Sequence, residues 1–202
     1  MQIIFADLTR MIDLHGVGPC PRPVDIDQLV TGFTRLKSLR IYRFLTGATI
    51  AGDSEGDEVY VLPFGGAVQM QIAGRTPLDV TLSQTAGPHA LYMAPDHNYR
   101  LTPIAEAFVA YARAAATGRV DCHPVEGRSE ANAEALSFVL SDLSVGDDLP
   151  TDSNKERLIH ILSGSVVISG QTLIETQTAA LSIGRVGSVR AVDFATVLII
   201  SA

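Results

Sequence analysis

Cysteine, positive charge and long apolar runs are all scarce in this 202-residue chain. Its two cysteines, Cys20 and Cys122, lie in different segments and in no C-x-x-C or metal-ligand spacing. That excludes a disulfide framework and suits a reducing, cytoplasmic setting. Lys and Arg number 15 against 22 Asp and Glu, for a net charge of −7. With no basic run or Arg/Lys-rich helix, nucleic acid is not an expected partner. No apolar stretch approaches the ~18 residues of a membrane helix, so no membrane association is expected. The first ten residues lack a charged leader and a long apolar segment, so no signal peptide is expected. There is no G-x-S-x-G, no P-loop and no dinucleotide fingerprint.

The chain is instead apolar and strand-like. Hydrophobic residues make up 47% and charged residues 18%, well above the disordered range. So much apolar surface predicts a filled core and a covered subunit interface, hence a homo-oligomer. Short apolar or alternating runs at 39–45, 59–64, 67–72, 78–82, 138–143, 158–162, 165–168 and 196–200 are bounded by Gly, Pro, Asp and Ser. That spacing predicts an all-β fold. Residues 25–32 have a candidate Asp cap and a terminal Gly, the signature of a short helix. Residues 105–116 are Ala-rich, yet Phe108, Val109 and Tyr111 argue for a closing strand there. The polar, small-residue stretch 113–135 reads as a linker between units at 1–112 and 136–202.

A repeat organises these runs. Residues 47–66 read G-A-T-I-A-G-D-S-E-G-D-E-V-Y-V-L-P-F-G-G, and residues 146–164 read G-D-D-L-P-T-D-S-N-K-E-R-L-I-H-I-L-S-G. In each, a Gly and a polar turn lead to a Glu, an apolar run and a second Gly eight positions after the Glu: Glu58 to Gly66, and Glu156 to Gly164. Residues 90–100 also match 180–190, pairing Arg100 with Arg190. Repetition at this scale fixes architecture before local propensity does. The pattern resembles the cupin superfamily, over about 38–112 and 136–202. A fainter likeness, in G-D-E-V-Y-V-L and L-Y-M-A-P-x-H-x-Y, is to cupin sugar-acid isomerases. The resemblance implies two tandem jelly-roll β-barrels, a bicupin. It also implies a metal held by an H-x-H pair, a Glu and a further His. Here the H-x-H positions fall near Ala51 and Asp53, or Gly52 and Ser54, and near 149–152 in the second copy. The last His falls at about Arg100 and Arg190. With imidazole missing from both copies, no metal and no cofactor are expected.

In a cupin the motif Glu points into the barrel. Strand alternation would then put Glu58, Tyr60 and Leu62 on one inner face, and Glu156, Leu158 and His160 on the other. A buried carboxylate needs a partner, so Glu58–Arg100 and Glu156–Arg190 ion pairs are the expectation, set against Arg side chains at the rim or outside. His89, Tyr92, His97 and Tyr99 cluster around the second motif, as a small-molecule pocket or as a solvated turn. His160 reads as an acid–base partner of Glu156 or as a hydrogen-bonded core histidine. His15 and His123 suggest no nucleophile. Three functions follow. The first is a cupin-like protein without the usual metal that binds a small polar molecule in its N-terminal barrel, by Glu58, Tyr60, His89, Tyr92, His97 and Arg100. The second is a sugar or sugar-acid isomerase with a site rebuilt from Glu58, His89, Tyr92 and His97. The third is a structural or oligomerisation module.

Overall fold

The computed structural model describes residues 1–74, 77–116, 118, 121–130, 136–185 and 187–202. The chain opens with strands β1 (Gln2–Phe5), β2 (Met11–Leu14), β3 (Gly18–Pro21) and β4 (Val24–Asp27) and the one-turn helix α1 (Gln28–Thr31). There follow β5 (Leu36–Phe44), β6 (Ile50–Asp53), β7 (Asp57–Gly65), β8 (Ala67–Ala73) and β9 (Leu78–Ser83). Next come β10 (Ala90–Met93), β11 (Asn98–Pro103), β12 (Ala107–Ala115), β13 (His123–Val125) and β14 (Ser129–Glu130). The remaining strands are β15 (Ser137–Leu143), β16 (Asp148–Pro150), β17 (Arg157–Ser163), β18 (Ser165–Ile168), β19 (Gln171–Ile174), β20 (Gln177–Leu181), β21 (Ser188–Ala191) and β22 (Ala195–Ser201).

The fold is all-β, and its topology is duplicated. One six-stranded sheet runs β13-β10-β7-β12-β5-β4, the other β1-β20-β17-β22-β15-β14. Each has a four-stranded companion, β6-β11-β8-β9 or β16-β21-β18-β19. β2 and β3 form a separate hairpin. These sheets stay open; they do not close into the barrels that the motif resemblance implies. The helix is as short as its signals are close together. Asp27 caps it by accepting from the amides of Leu29 and Val30, and Gly32 ends it with φ 69°. The Ala-rich segment is the strand β12, as the repeat predicted.

Four layers result, four-, six-, six- and four-stranded. Along β7, Val59 and Val61 pack with Met70, Leu82 and Leu101 of the first half's small sheet. The alternating Tyr60 and Leu62 pack with Phe138, Leu158, Leu198 and Ile200 of the second half. The second half has its own aliphatic interior, built on Ile159, Ile161, Val166, Leu173 and Val197. Both six-stranded sheets are therefore buried on two faces, which is why their sequences read as unbroken apolar runs. The halves also exchange edges: β1, from the N-terminus, pairs with β20, while β13 pairs with β10. The stretch expected as a linker thus contains the end of β12, β13 and β14; residues 117, 119–120 and 131–135 within it lie outside the described residues.

Candidate functional site

The motif glutamates do not face a sandwich interior. Glu58 shares its strand face with Tyr60 and Leu62, which point at the other half. Glu156 reaches across to the segment before β5, accepting from the amides of Thr34 (2.7 Å), Arg35 (2.8 Å) and Leu36 (2.9 Å) and from the Thr34 hydroxyl (3.0 Å). Burial would raise its pKa, but these donors outweigh burial and hold the carboxyl below its ordinary value. The expected ion pairs are therefore absent. Arg100 and Arg190 are exposed on the outer faces of the small sheets. They are not equivalent either: Arg190 lies opposite Val167, where the first half has Thr102 opposite Gln69.

The other expected site residues are dispersed. Tyr92 lies edge-on to Tyr60 at 5.4 Å between ring centroids, and Tyr60 to Phe138 at 4.9 Å, in the layer between the halves. His123 stacks on Tyr92 at 5.0 Å and pairs with Glu130 at 2.9 Å. His89 leads into β10, its amide donating to Val125 O. His97 belongs to the turn before β11, with Nδ1 2.8 Å from Pro95 O. His160 is a satisfied core histidine: Nδ1 lies 2.8 Å from Thr178 Oγ1, and burial depresses its pKa to about 4. Among the described residues, no group of three or more His, Cys, Asp or Glu is arranged to hold a metal.

A different set of side chains lines the mouth of the first sandwich. Register places Arg40, Tyr42 and Phe44 of β5, and Tyr111 and Arg113 of β12, on the interior face; the alternating Leu39, Ile41, Ala110 and Ala112 face the other half. With Tyr99 of β11 and Asp53 at the end of β6, they enclose a cavity of about 110 Å³, roofed by Leu14 of the hairpin. Tyr42 stacks on Phe44 at 5.3 Å and meets Tyr111 edge-on at 5.4 Å. Tyr99 lies over Gly52, where an added Cβ would come 2.5 Å from its hydroxyl. Burial pushes the Tyr99 pKa up to about 12 and that of Tyr111 well above its ordinary value, so both are neutral donors. The buried Tyr111 hydroxyl has the Tyr99 hydroxyl as its hydrogen-bond partner.

The second half is an internal control. If Gly66 and Gly164 are equivalent, the ladders put Val139, Ser141, Ile199, Ser201 and Gly187 where Arg40, Tyr42, Tyr111, Arg113 and Tyr99 stand. A cavity of about 270 Å³ there is walled by Val139, Leu149 and Ile199, with Thr151, Asp152 and Lys155 beside them. Arg157 takes the place of Val59. It is fully buried and donates to Thr151 Oγ1 (2.7 Å) and to the carbonyls of Ser182 and Arg185. The guanidinium thus satisfies carbonyls from inside this half and does not line the cavity.

No family model and no curated protein matches the chain. Solved structures do, over nearly all of it. A bacterial pirin of Escherichia coli, in complex with nickel(II), superposes with TM-score 0.72 at 13% identity, covering 99% of this chain and 98% of that one. A quercetin 2,3-dioxygenase of Acinetobacter baumannii gives 0.71 at 13%, over 100% and 85%. A Bacillus subtilis oxalate decarboxylase mutant gives 0.71 at 8%, over 99% and 76%. All are cupin-superfamily folds, and the cupin-type fold is what this chain shares with them.

Proposed function

We propose that the protein is a tandem cupin-like binding protein whose first half takes a small polar molecule into the cavity lined by Arg40, Tyr42, Asp53, Tyr99, Tyr111 and Arg113, without the family's His-and-carboxylate metal set. The Tyr99 and Tyr111 hydroxyls, hydrogen-bonded to each other beside the Arg40 and Arg113 guanidiniums, carry this reading. The equivalent positions, Gly187 and Ile199, bring no polar side chain. Polar groups that converge on a cavity in one half alone suit a site whose partner arrives from solution. The isomerase reading has less support, because Glu58 and Tyr92 face the second half while His89 and His97 belong to turn segments. We also propose a cytoplasmic homo-oligomer. Exposed Phe5, Leu8, Leu29 and Phe194 support an apolar interface. Among the described residues, no helix is long and apolar enough to cross a membrane.

The test is a thermal-shift and calorimetric screen of small polar molecules against the wild type and Gly52→Ala. The added methyl forces the Tyr99 ring to shift and reshapes the cavity. We expect hits on the wild type that Gly52→Ala weakens at least tenfold. Binding that survives in Gly52→Ala would move the site elsewhere. Elemental analysis after purification without added metal should find less than stoichiometric zinc, nickel, iron or manganese.

A further inference from the structure

We infer that the molecule this cavity takes is a small carboxylate, held between the guanidinium groups of Arg40 and Arg113 with its body against the tyrosine rings. The inference rests on the binding reading above and adds the chemical class of the ligand.

The first argument is a donor count. Arg40 makes one bond, from Nε to Asp25 Oδ1 at 3.2 Å, and among the described residues its two Nη groups make none. Arg113 spends Nη2 on Ser54 O at 2.5 Å and on Glu55 Oε2 at 3.4 Å, and its Nε lies 3.3 Å from Asp57 Oδ2; Nη1 has no partner among the described residues. Beside them the Tyr99 and Tyr111 hydroxyls hydrogen-bond to each other. The one lining carboxylate, Asp53, already accepts the Glu55 amide at 3.0 Å. A site so rich in donors needs a ligand that brings acceptors.

The second argument is charge. Asp25 is shared by three guanidiniums, of Arg10, Arg22 and Arg40. Asp57 is shared by Lys37 and Arg113. Arg10 and Lys37 are exposed to screening water, as are the further acids nearby, Asp7, Asp53 and Glu55, which leaves two little-exposed carboxylates facing the three more sheltered guanidiniums of Arg22, Arg40 and Arg113. The surplus on the sheltered side is positive, and planar guanidinium forks match a carboxylate's two oxygens. In the second half the matching positions are Val139 and Ser201, so neither guanidinium has a counterpart there. The size of the cavity limits the body to a few heavy atoms, and the stacked and edge-on rings favour a flat or apolar one.

The test is calorimetric titration of the wild type, Arg40→Gln, Arg40→Lys and Arg113→Gln with acid and amide pairs of one skeleton (acetate and acetamide, propionate and propionamide, benzoate and benzamide), and with glycerol. The acid of at least one pair should bind at least tenfold tighter than its amide. That ratio should fall to about one in both Gln variants, survive in part in Arg40→Lys, and shrink as salt rises. Near-ultraviolet circular dichroism establishes that each variant is folded; Arg40→Lys preserves the test if Arg40→Gln is not. Equal binding of acid and amide, or binding of glycerol alone, would overturn the carboxylate and leave the cavity reading standing. No binding of any probe to the wild type would overturn both.

Discussion

The neighbours Glu156 and Arg157 send opposite charges to opposite faces of one strand. Glu156 closes the three amides of residues 34–36, and Arg157 closes carbonyls inside the second half. Neither needs the other, because peptide dipoles satisfy both. Glu156→Gln replaces an all-acceptor group with an amide, of which only the oxygen can accept, and should destabilise the fold by ~2–4 kcal/mol. With its pKa depressed, Glu156 contributes stability that is present above its ordinary value of 4.5 and is lost as pH falls below it. His160 acts in a higher window. Its pKa falls from 6.5 to about 4 on folding, so the neutral ring's contribution is complete above 6.5 and declines as pH falls toward 4. Urea titrations from pH 4 to 7.5 should show a loss on the order of 3 kcal/mol across that range. His160→Gln should flatten it; an unchanged slope would assign the protons elsewhere.

At the scale of the strand, the two motif glycines were legible for a physical reason. Gly66 and Gly164 have φ of 76° and 74°, and a Cβ on either would lie 2.1 Å from a backbone oxygen, of Glu106 and Phe194 respectively. No other residue fits, so the spacing survived in both halves while the chemistry between did not. Gly164→Ala should cost about 3 kcal/mol or more and lower the melting temperature; an unchanged melt would mean that β17 and β22 can separate without penalty. Facing was harder to read than spacing. A strand buried on both sides shows no apolar–polar alternation, so nothing in D-E-V-Y-V-L-P-F tells which side Glu58 takes. Matching 90–100 with 180–190 failed in a related way. The ladders pair Leu62 with His160, and so Ala90 with Thr178, two residues from that match. A slip of two preserves every facing and leaves no trace in the pattern. Tyr42 and Tyr111 were hidden for the first of these reasons: they share strands with Ile41 and Ala112, which are buried too, and Arg40 and Arg113 beside them are half-buried.

For the molecule as a whole, the question is whether two repeats make two folding units. The repeat foretold a duplicated topology, and both sheet orders repeat strand for strand. It did not foretell that the halves complete one another. β1 must cross to β20, and β13 returns to β10. The face carrying Phe138, Leu158, Leu198 and Ile200 is buried in one cluster with Leu36, Leu39, Tyr60, Leu62, Tyr92 and the alanines of β12. Residues 136–202 alone would expose that face and lack β1, which amounts to an aggregation-prone surface. Large, apolar and hydrogen-bonded at both edges, this contact should unfold with the halves it joins. Differential scanning calorimetry of the whole chain should therefore give one transition, with calorimetric and van't Hoff enthalpies equal per cooperative unit. Deleting residues 1–6 should lower its midpoint through the second half, although those residues lie at the opposite end of the sequence. Two resolved transitions, or a fragment 136–202 that is soluble and dispersed in its amide spectrum, would show that each half folds alone.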